Sequence, residues 1–293
     1  CPDCRGSLFG QPENLLCSSC GRAFPSASPD FLDLRPTREF ADTTVYQDEL
    51  LHADARYDIA STPVLSARLR QDLLRKFLKI TPRDRLIDLG CGNGRSLLWN
   101  RELGAWSVGV DVSSFFSSAV RQGTDLVVSD LRCLPLANAS FTKAVSLDVL
   151  EHLSRDDLSL MLSETARVLS VGGRLFVYSH VMNNSSLAFG LRLINTFARF
   201  LERVGVLDLA HERLRKSDHR NPLADLDDLH RMLRKHRLHV IKIRYYTPLI
   251  GAFIENILVR VGEQYLRRRA KRRSGGQDTA RPGELDRAVT DLN

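Results

Sequence analysis

Short apolar runs closed by a glycine, an acid or a serine recur through the middle of this 293-residue chain. The runs Arg85–Leu89, Ser107–Asp111, Asp125–Ser129, Lys143–Leu147, Arg174–Ser179 and His239–Tyr245 read as strands. Most are continuously apolar rather than alternating, as expected of parallel strands covered on both faces. Helical spacing fills the intervals between them. The pattern predicts an α/β fold, a doubly wound parallel sheet spanning residues 81–247.

Other segments have a different character. Residues 1–34 are short, turn-rich and cysteine-rich, and residues 35–80 combine a polar linker with the amphipathic helix "VLSARLRQDLLRKFLK". A helical insertion at 181–222 contains "LAFGLRLINTFARFLERVGVLDLA", where Leu193, Ile194, Phe197, Leu201 and Val204 are expected on one face. Residues 248–273 form a second amphipathic helix with Ile250, Phe253, Ile257, Leu258 and Val261 aligned, running into "RRRAKRR"; residues 274–293 read as a polar tail. There is no repeat of 20–50 residues. No apolar run reaches the roughly 18 residues of a membrane span. The first residues, Cys-Pro-Asp-Cys, do not read as a basic and then hydrophobic leader, and the missing initiator Met suggests numbering that starts inside a longer chain.

Charge divides the chain. Residues 1–180 carry 20 Lys and Arg against 22 Asp and Glu, a net of −2, whereas residues 181–293 carry 22 against 13, a net of +9. The second half therefore invites an anionic partner such as a lipid headgroup, a nucleic acid or a phosphorylated substrate, though a solvated surface has the same composition.

The stretch "RLIDLGCGNGRSLL" places Gly90, Gly92 and Gly94 directly behind a strand ending near Asp88. Such a turn brings bare backbone against a ligand. The third glycine comes one residue early for a dinucleotide fingerprint, Arg95 stands where that pattern wants glycine, and no G-K-[ST] follows. The sequence D-x-G-x-G-x-G resembles motif I of the class I S-adenosylmethionine-dependent methyltransferases, including the ubiquinone- and menaquinone-biosynthesis type. Four further stretches match in order: Asp111 with Val112 in "VGVD", Asp130 with Leu131 in "LVVSDLRCLPL", "FTKAVSLDVLEHL" with Asp148, and "ARVLSVGGRLFVYSH". The resemblance spans roughly residues 40–245. It implies that Asp88, Gly90, Gly92, Gly94, Asp111, Val112, Asp130, Leu131 and Asp148 bind S-adenosylmethionine, Asp111 through the ribose hydroxyls and Asp130 near the adenine. A nucleotide-binding or inactive domain of the same architecture is the bland alternative.

Cys1, Cys4, Cys17 and Cys20 give C-x2-C-x12-C-x2-C. Paired C-x-x-C knuckles favour a closed, structural four-thiolate Zn²⁺ site, with disulfides as the rival. The segment resembles the small zinc ribbons that activate methyltransferases, and also the ribbon of guanine-N1 methyltransferases of ribosomal RNA. Against an RNA role, it carries only Arg5 and Arg22 beside Asp3, Glu13, Asp30 and Asp33. Cys91 and Cys133 read as ordinary small residues.

An oxygen acceptor would require a general base. His180, behind the fifth strand, is the first candidate, followed by His152 in Asp148-x-x-Glu151-His152 and by His219 in "KSDHR", where Asp218 precedes it; His211 lies upstream. Relatives with E-x-x-E-H at this place hold a divalent metal, while others use Glu and His to cap the next helix. The sequence as a whole reads as a cytoplasmic methyltransferase with a small-molecule or lipid-linked acceptor, the insertion and the C-terminal amphipathic helix forming either a lid on the domain or a face for a membrane surface. RNA as acceptor, or a scaffold without catalysis, are the alternatives.

Overall fold

The computed structural model describes residues 1–26, 28–38, 65–179, 187–209, 213, 217, 219–220, 222–245, 248–262, 264–265 and 269. Three short antiparallel strands, β1 (Leu8–Gln11), β2 (Asn14–Cys17) and β3 (Ala23–Pro25), build the cysteine-rich module. A two-residue strand, β4 (Leu32–Asp33), leaves that module and enters the main sheet. There follow α1 (Leu65–Leu78), β5 (Arg85–Leu89), α2 (Arg95–Asn100), β6 (Trp106–Asp111), α3 (Ser118–Arg121), β7 (Asp125–Val128), β8 (Phe141–Leu147), α4 (Arg155–Val168) and β9 (Leu169–Tyr178). Beyond β9 come α5 (Leu187–Arg203), α6 (Leu226–Lys235) and α7 (Pro248–Phe253), the last continued by a π-helical stretch, Ile254–Val259.

The six-stranded sheet runs β4-β7-β6-β5-β8-β9, every neighbouring pair parallel. Strand order reverses between β5 and β8, which sets the crevice for a ligand outside the carboxyl ends of the strands. Ile87, Leu89, Val108 and Val110 pack on one side with Leu158, Met161 and Leu162 of α4 and Met232 of α6. Leu86, Leu126, Val128 and Val145 pack on the other with Leu74 and Leu78 of α1 and Leu97 of α2. Strand alternation puts Asp88 on the α1 side, the side of Leu86.

Five of the six expected strands are present, four with ends moved by at most two residues; β9 departs most, beginning five residues early at Leu169 where α4 stops. The sixth, His239–Tyr245, forms no strand: Ile241, Ile243 and Tyr245 are exposed, and Lys242 lies over the ring of Phe77, 5.1 Å from its centroid. The sheet is instead completed at the opposite edge by β4. Leu34 N–H donates to the Val128 carbonyl (2.8 Å), and Ser129 Oγ donates to the Leu34 carbonyl (2.9 Å).

The cysteine-rich module is seated on the α4 side, where Cys1, Cys17 and Phe24 share a core with Leu158 and Met161. Glu164 of α4, almost fully buried, ties the two together: its carboxylate accepts both Arg5 guanidinium nitrogens (2.7 and 2.8 Å), Arg167, and the Leu134 N–H (2.9 Å). Burial opposes its ionisation, but the hydrogen bonds and charges of Arg167 and Arg5 outweigh this and hold the group below its ordinary value. A carboxylate depressed in the folded state stabilises fully at neutral pH and loses that contribution as pH falls through the carboxylate range. Glu164→Ala should therefore lower unfolding stability by about 3 kcal/mol at pH 7. Arg5→Ala, whose side chain is half exposed, should cost about 1 kcal/mol. Urea titrations across pH check both, and the Glu164→Ala deficit should shrink on acidification.

Candidate functional site

Strands β5 and β6 end side by side, Asp88 registering with Gly109 and Leu89 with Val110. The glycine loop leaves β5 at that edge, its Gly90 and Cys91 N–H groups both donating to the Val110 carbonyl. Gly90 is left-handed (φ 76°), and a Cβ there would sit 2.4 Å from a Val149 methyl, so this position is closed by the protein's own packing. Gly92 is also left-handed (φ 55°), yet a Cβ there would meet nothing within 4 Å. It borders open space, the place where a ligand can approach backbone. Gly94 precedes α2 and is left-handed as well (φ 85°).

Asp111, buried at the end of β6, is fully engaged. One oxygen accepts the Gly92 N–H (2.7 Å), and the other accepts the N–H and Oγ of Ser113 (2.9 Å each). Asp88 is its counterpart without such partners: it is 2% exposed, and its Oδ1 accepts no hydrogen bond from the protein. Burial first, then the charge of Asp111, push the Asp88 carboxyl up to about 7, against a smaller pull from Arg70. A carboxyl poised in this way beside a backbone cradle fits a cationic ligand group, whose arrival would ionise it.

The other expected cofactor residues line the same end of the sheet, with their carboxylates already paired. Arg132 grips Asp130 through Nε and Nη2 (2.9 and 2.7 Å) and reaches Asp157 (2.9 Å). Arg70 of α1 donates to Asp148 (2.7 Å), lies over the Tyr178 ring, and keeps its buried Nε without a protein acceptor. Val112 and Leu131 are half-buried beside their acids. No pattern in the sequence marked Arg70, Arg132 or Ser113.

Of the histidines, His180 lies outside the described residues, as do Asp218 and His211. The structure brings His219 to His152, their rings edge to face at 4.7 Å. Glu151, buried, stands with them; one donor atom from each of the three lies within 4.8 Å of the others. Ser179 Oγ donates to Glu151 (2.9 Å) and the Arg220 N–H donates to its backbone carbonyl (2.7 Å), so the insertion is latched to this corner. The first acid of Asp-x-x-Glu-His is paired with Arg70 rather than joining this cluster.

In the cysteine-rich module the four expected thiols converge within 4.8 Å, with Sγ–Sγ distances of 3.9 Å (Cys1–Cys20) and 3.4 Å (Cys4–Cys17). Tetrahedral zinc with bonds near 2.3 Å sets thiolates about 3.8 Å apart. The backbone N–H groups of Cys20 and Ser19 and the neighbouring thiols lower Cys17 to about 7, the form a metal requires. Burial has the opposite effect on the other two thiols, raising Cys91 well above its ordinary value and Cys133 to about 12, so both remain protonated packing residues.

Residues 87–177 match the family model described as a methyltransferase domain. That stretch is a methyltransferase domain. Among curated proteins it is 29% identical over 119 residues to a mouse protein named "Probable tRNA methyltransferase 9B", covering 40% of this chain and 26% of that one. It is 31% identical over 117 residues to the ubiquinone biosynthesis O-methyltransferase of Brucella anthropi, covering 38% and 46%. The chain thus spans a quarter to a half of the length of these relatives. A Galdieria sulphuraria structure assigned as a sarcosine dimethylglycine methyltransferase superposes with a TM-score of 0.52 at 13% identity, covering 75% and 84%, and shows the shared fold.

The elevated Asp88 carboxyl has a measurable consequence. The fold holds its proton up to about pH 7, whereas an unfolded aspartate releases it near 3.8. Stability of the ligand-free domain should therefore fall as pH rises through that window. Asp88→Asn should raise the melting temperature by on the order of 5 °C above pH 7, with the gain vanishing toward pH 4. Thermal melts of both proteins across that range check this.

Proposed function

We propose that this protein transfers the methyl group of S-adenosylmethionine to a small-molecule or lipid-linked acceptor. What carries the reading is the open, left-handed Gly92 between two buried carboxyls, one satisfied by the loop and one lacking a partner. Bound there, S-adenosylmethionine supplies a methyl already activated on sulfonium, so placement of the acceptor matters more than acid–base assistance. Asp111 presents two oxygens spaced for a diol, and exchanging the Gly92 and Ser113 donors for ribose hydroxyls would free the loop to settle on the ligand. Asp88 ionises against the ligand's positive charge, and the Arg70 guanidinium, fixed by Asp148, stands ready for its carboxylate. His152, held against His219 with Glu151 beside it, accepts the acceptor's proton. His180, which lies outside the described residues, stays a candidate base beside this pair.

The four cysteines are assigned to a structural zinc. With four thiolates the site is closed, so its part is to fix the module on which β4 and Arg5 depend, not to take part in transfer.

The tRNA-methyltransferase relative favours a second reading, in which RNA is the acceptor. The module offers it little, since Arg5 is spent on Glu164 and Arg22 on Asp3 and the Arg35 carbonyl. Calorimetric titration of the zinc-loaded chain with S-adenosylmethionine tests the main reading. Saturable binding is expected, weakened about 10–100-fold in Asp111→Ala through loss of a bidentate charged contact. A folded wild-type chain that binds none would overturn it. Metal analysis should find one zinc per chain, lost in Cys4→Ser/Cys20→Ser.

A further inference from the structure

The helices α5 and α7 share a core of their own. Ala198, Leu207, Leu209 and Ile257 are buried there with Ile194, Leu201 and Val261, and the two helices cross closely where Gly190 meets Leu249. The single apolar face expected of α5 is in fact divided. Ile194, Ala198 and Leu201 face inward, while Phe189, Leu193, Phe197, Phe200 and Val204 are 48–64% exposed. At 100° per residue these five fall within an arc of about 80°. Along one edge of that arc run Arg192, Arg199 and Arg203, all exposed. The helix's one acid, Glu202, is turned away and bound by Arg213 and the Leu209 N–H. Ile250, Phe253, Leu258 and Tyr265 are exposed on the second helix and its continuation.

A contiguous stripe of large apolar side chains open to water is not a feature of an ordinary surface. A stripe bordered by arginines and without acids has the chemistry of a helix lying in a lipid interface, its apolar side chains among the acyl chains and its guanidinium groups level with phosphates. The same polypeptide continues into six basic residues in seven, Arg267–Arg269 and Lys271–Arg273, the sequence character of a segment held by anionic lipid. We infer that the α5–α7 pair docks this protein on an anionic membrane surface, with Phe189, Leu193, Phe197, Phe200 and Val204 inserted and Arg192, Arg199 and Arg203 at headgroup level. Among the described residues no helix is long and apolar enough to cross a membrane, so the contact is peripheral. The inference stands apart from methyl transfer and would hold for a chain that binds no cofactor.

The test is flotation of the full, zinc-loaded chain with phosphatidylcholine vesicles, with and without added phosphatidylglycerol, through a sodium chloride series. The wild type should float with the anionic vesicles and retain part of its binding at high salt. F197S/F200S should lower partitioning by about tenfold or more at every salt concentration. R199Q/R203Q should weaken binding to anionic vesicles alone, most strongly at low salt. L193S gives an independent reduction should the double variant fold poorly, and S-adenosylmethionine binding, read by calorimetry, should be unchanged throughout. A wild type that stays with the unbound fraction overturns the inference, as does flotation indifferent to the stripe variants. So does a chain that ignores vesicles while F197S/F200S dissociates a dimer, or abolishes binding to a short RNA.

Discussion

Two carboxyls at the ends of adjacent parallel strands impose the constraint around which this domain is arranged. Parallel register brings Asp88 and Asp111 to the same edge of the sheet, where burial and mutual repulsion make two negative charges unfavourable. The protein resolves the conflict unequally. Asp111 receives backbone and hydroxyl donors, whereas Asp88 is left without a donor to Oδ1 and keeps its proton near neutrality. The left-handed glycines follow from the first choice, because only a loop bent in this way can bring the Gly92 N–H to the Asp111 carboxylate. The second leaves an unmet demand for positive charge, a small instability kept at the place where a ligand can relieve it.

The same economy of partners governs the rest of the crevice. Arg70 and Arg132 come from different elements, and each neutralises an acid that would otherwise add to the repulsion at the strand ends. On the α4 side, Glu164 gathers Arg5, Arg167 and the Leu134 amide, so the segment following Asp130 and the cysteine-rich module share one anchor. Strand β4 gives them a second connection through Leu34, Val128 and Ser129. The module is therefore built into the sheet edge three strands from Asp88, and anything that loosens its four thiols acts on β7 and the loop that follows.

Much of this architecture could be read from residue order. Five strands declared themselves because a parallel strand covered on both faces needs a continuous apolar run, and the loop declared itself because its glycines are spaced for one purpose. Strand β4 could not be seen, since Leu32–Asp33 is two residues long and owes its conformation to β7 rather than to any pattern of its own. His239–Tyr245 misled for the opposite reason: its valine and isoleucines suit a strand, but no ladder receives them. The ion pairs of Arg70 and Arg132 and the approach of His219 to His152 are products of tertiary packing, and spacing along the chain carries no trace of them. The α5 stripe failed at finer grain, because apolar spacing reveals that a helix is amphipathic without saying which side chains have a protein to face.

That last distinction bears on how the molecule divides its work. Where the inward residues of α5 meet α7, burial alone accounts for their chemistry, and the same helix then spends five more large apolar side chains on solvent. Folding gains nothing from them, and exposed phenylalanines favour self-association, so their arrangement needs a reason outside the fold. The charge asymmetry supplies one. The half that contains the glycine loop and the thiols is close to neutral, whereas the half that contains α5 and α7 carries +9. A molecule polarised in this way is drawn toward an anionic surface with its basic half leading, before any apolar contact is made. A helix pair held there would keep the crevice close to acceptors that themselves reside in lipid, so that surface attachment and acceptor choice become one physical problem.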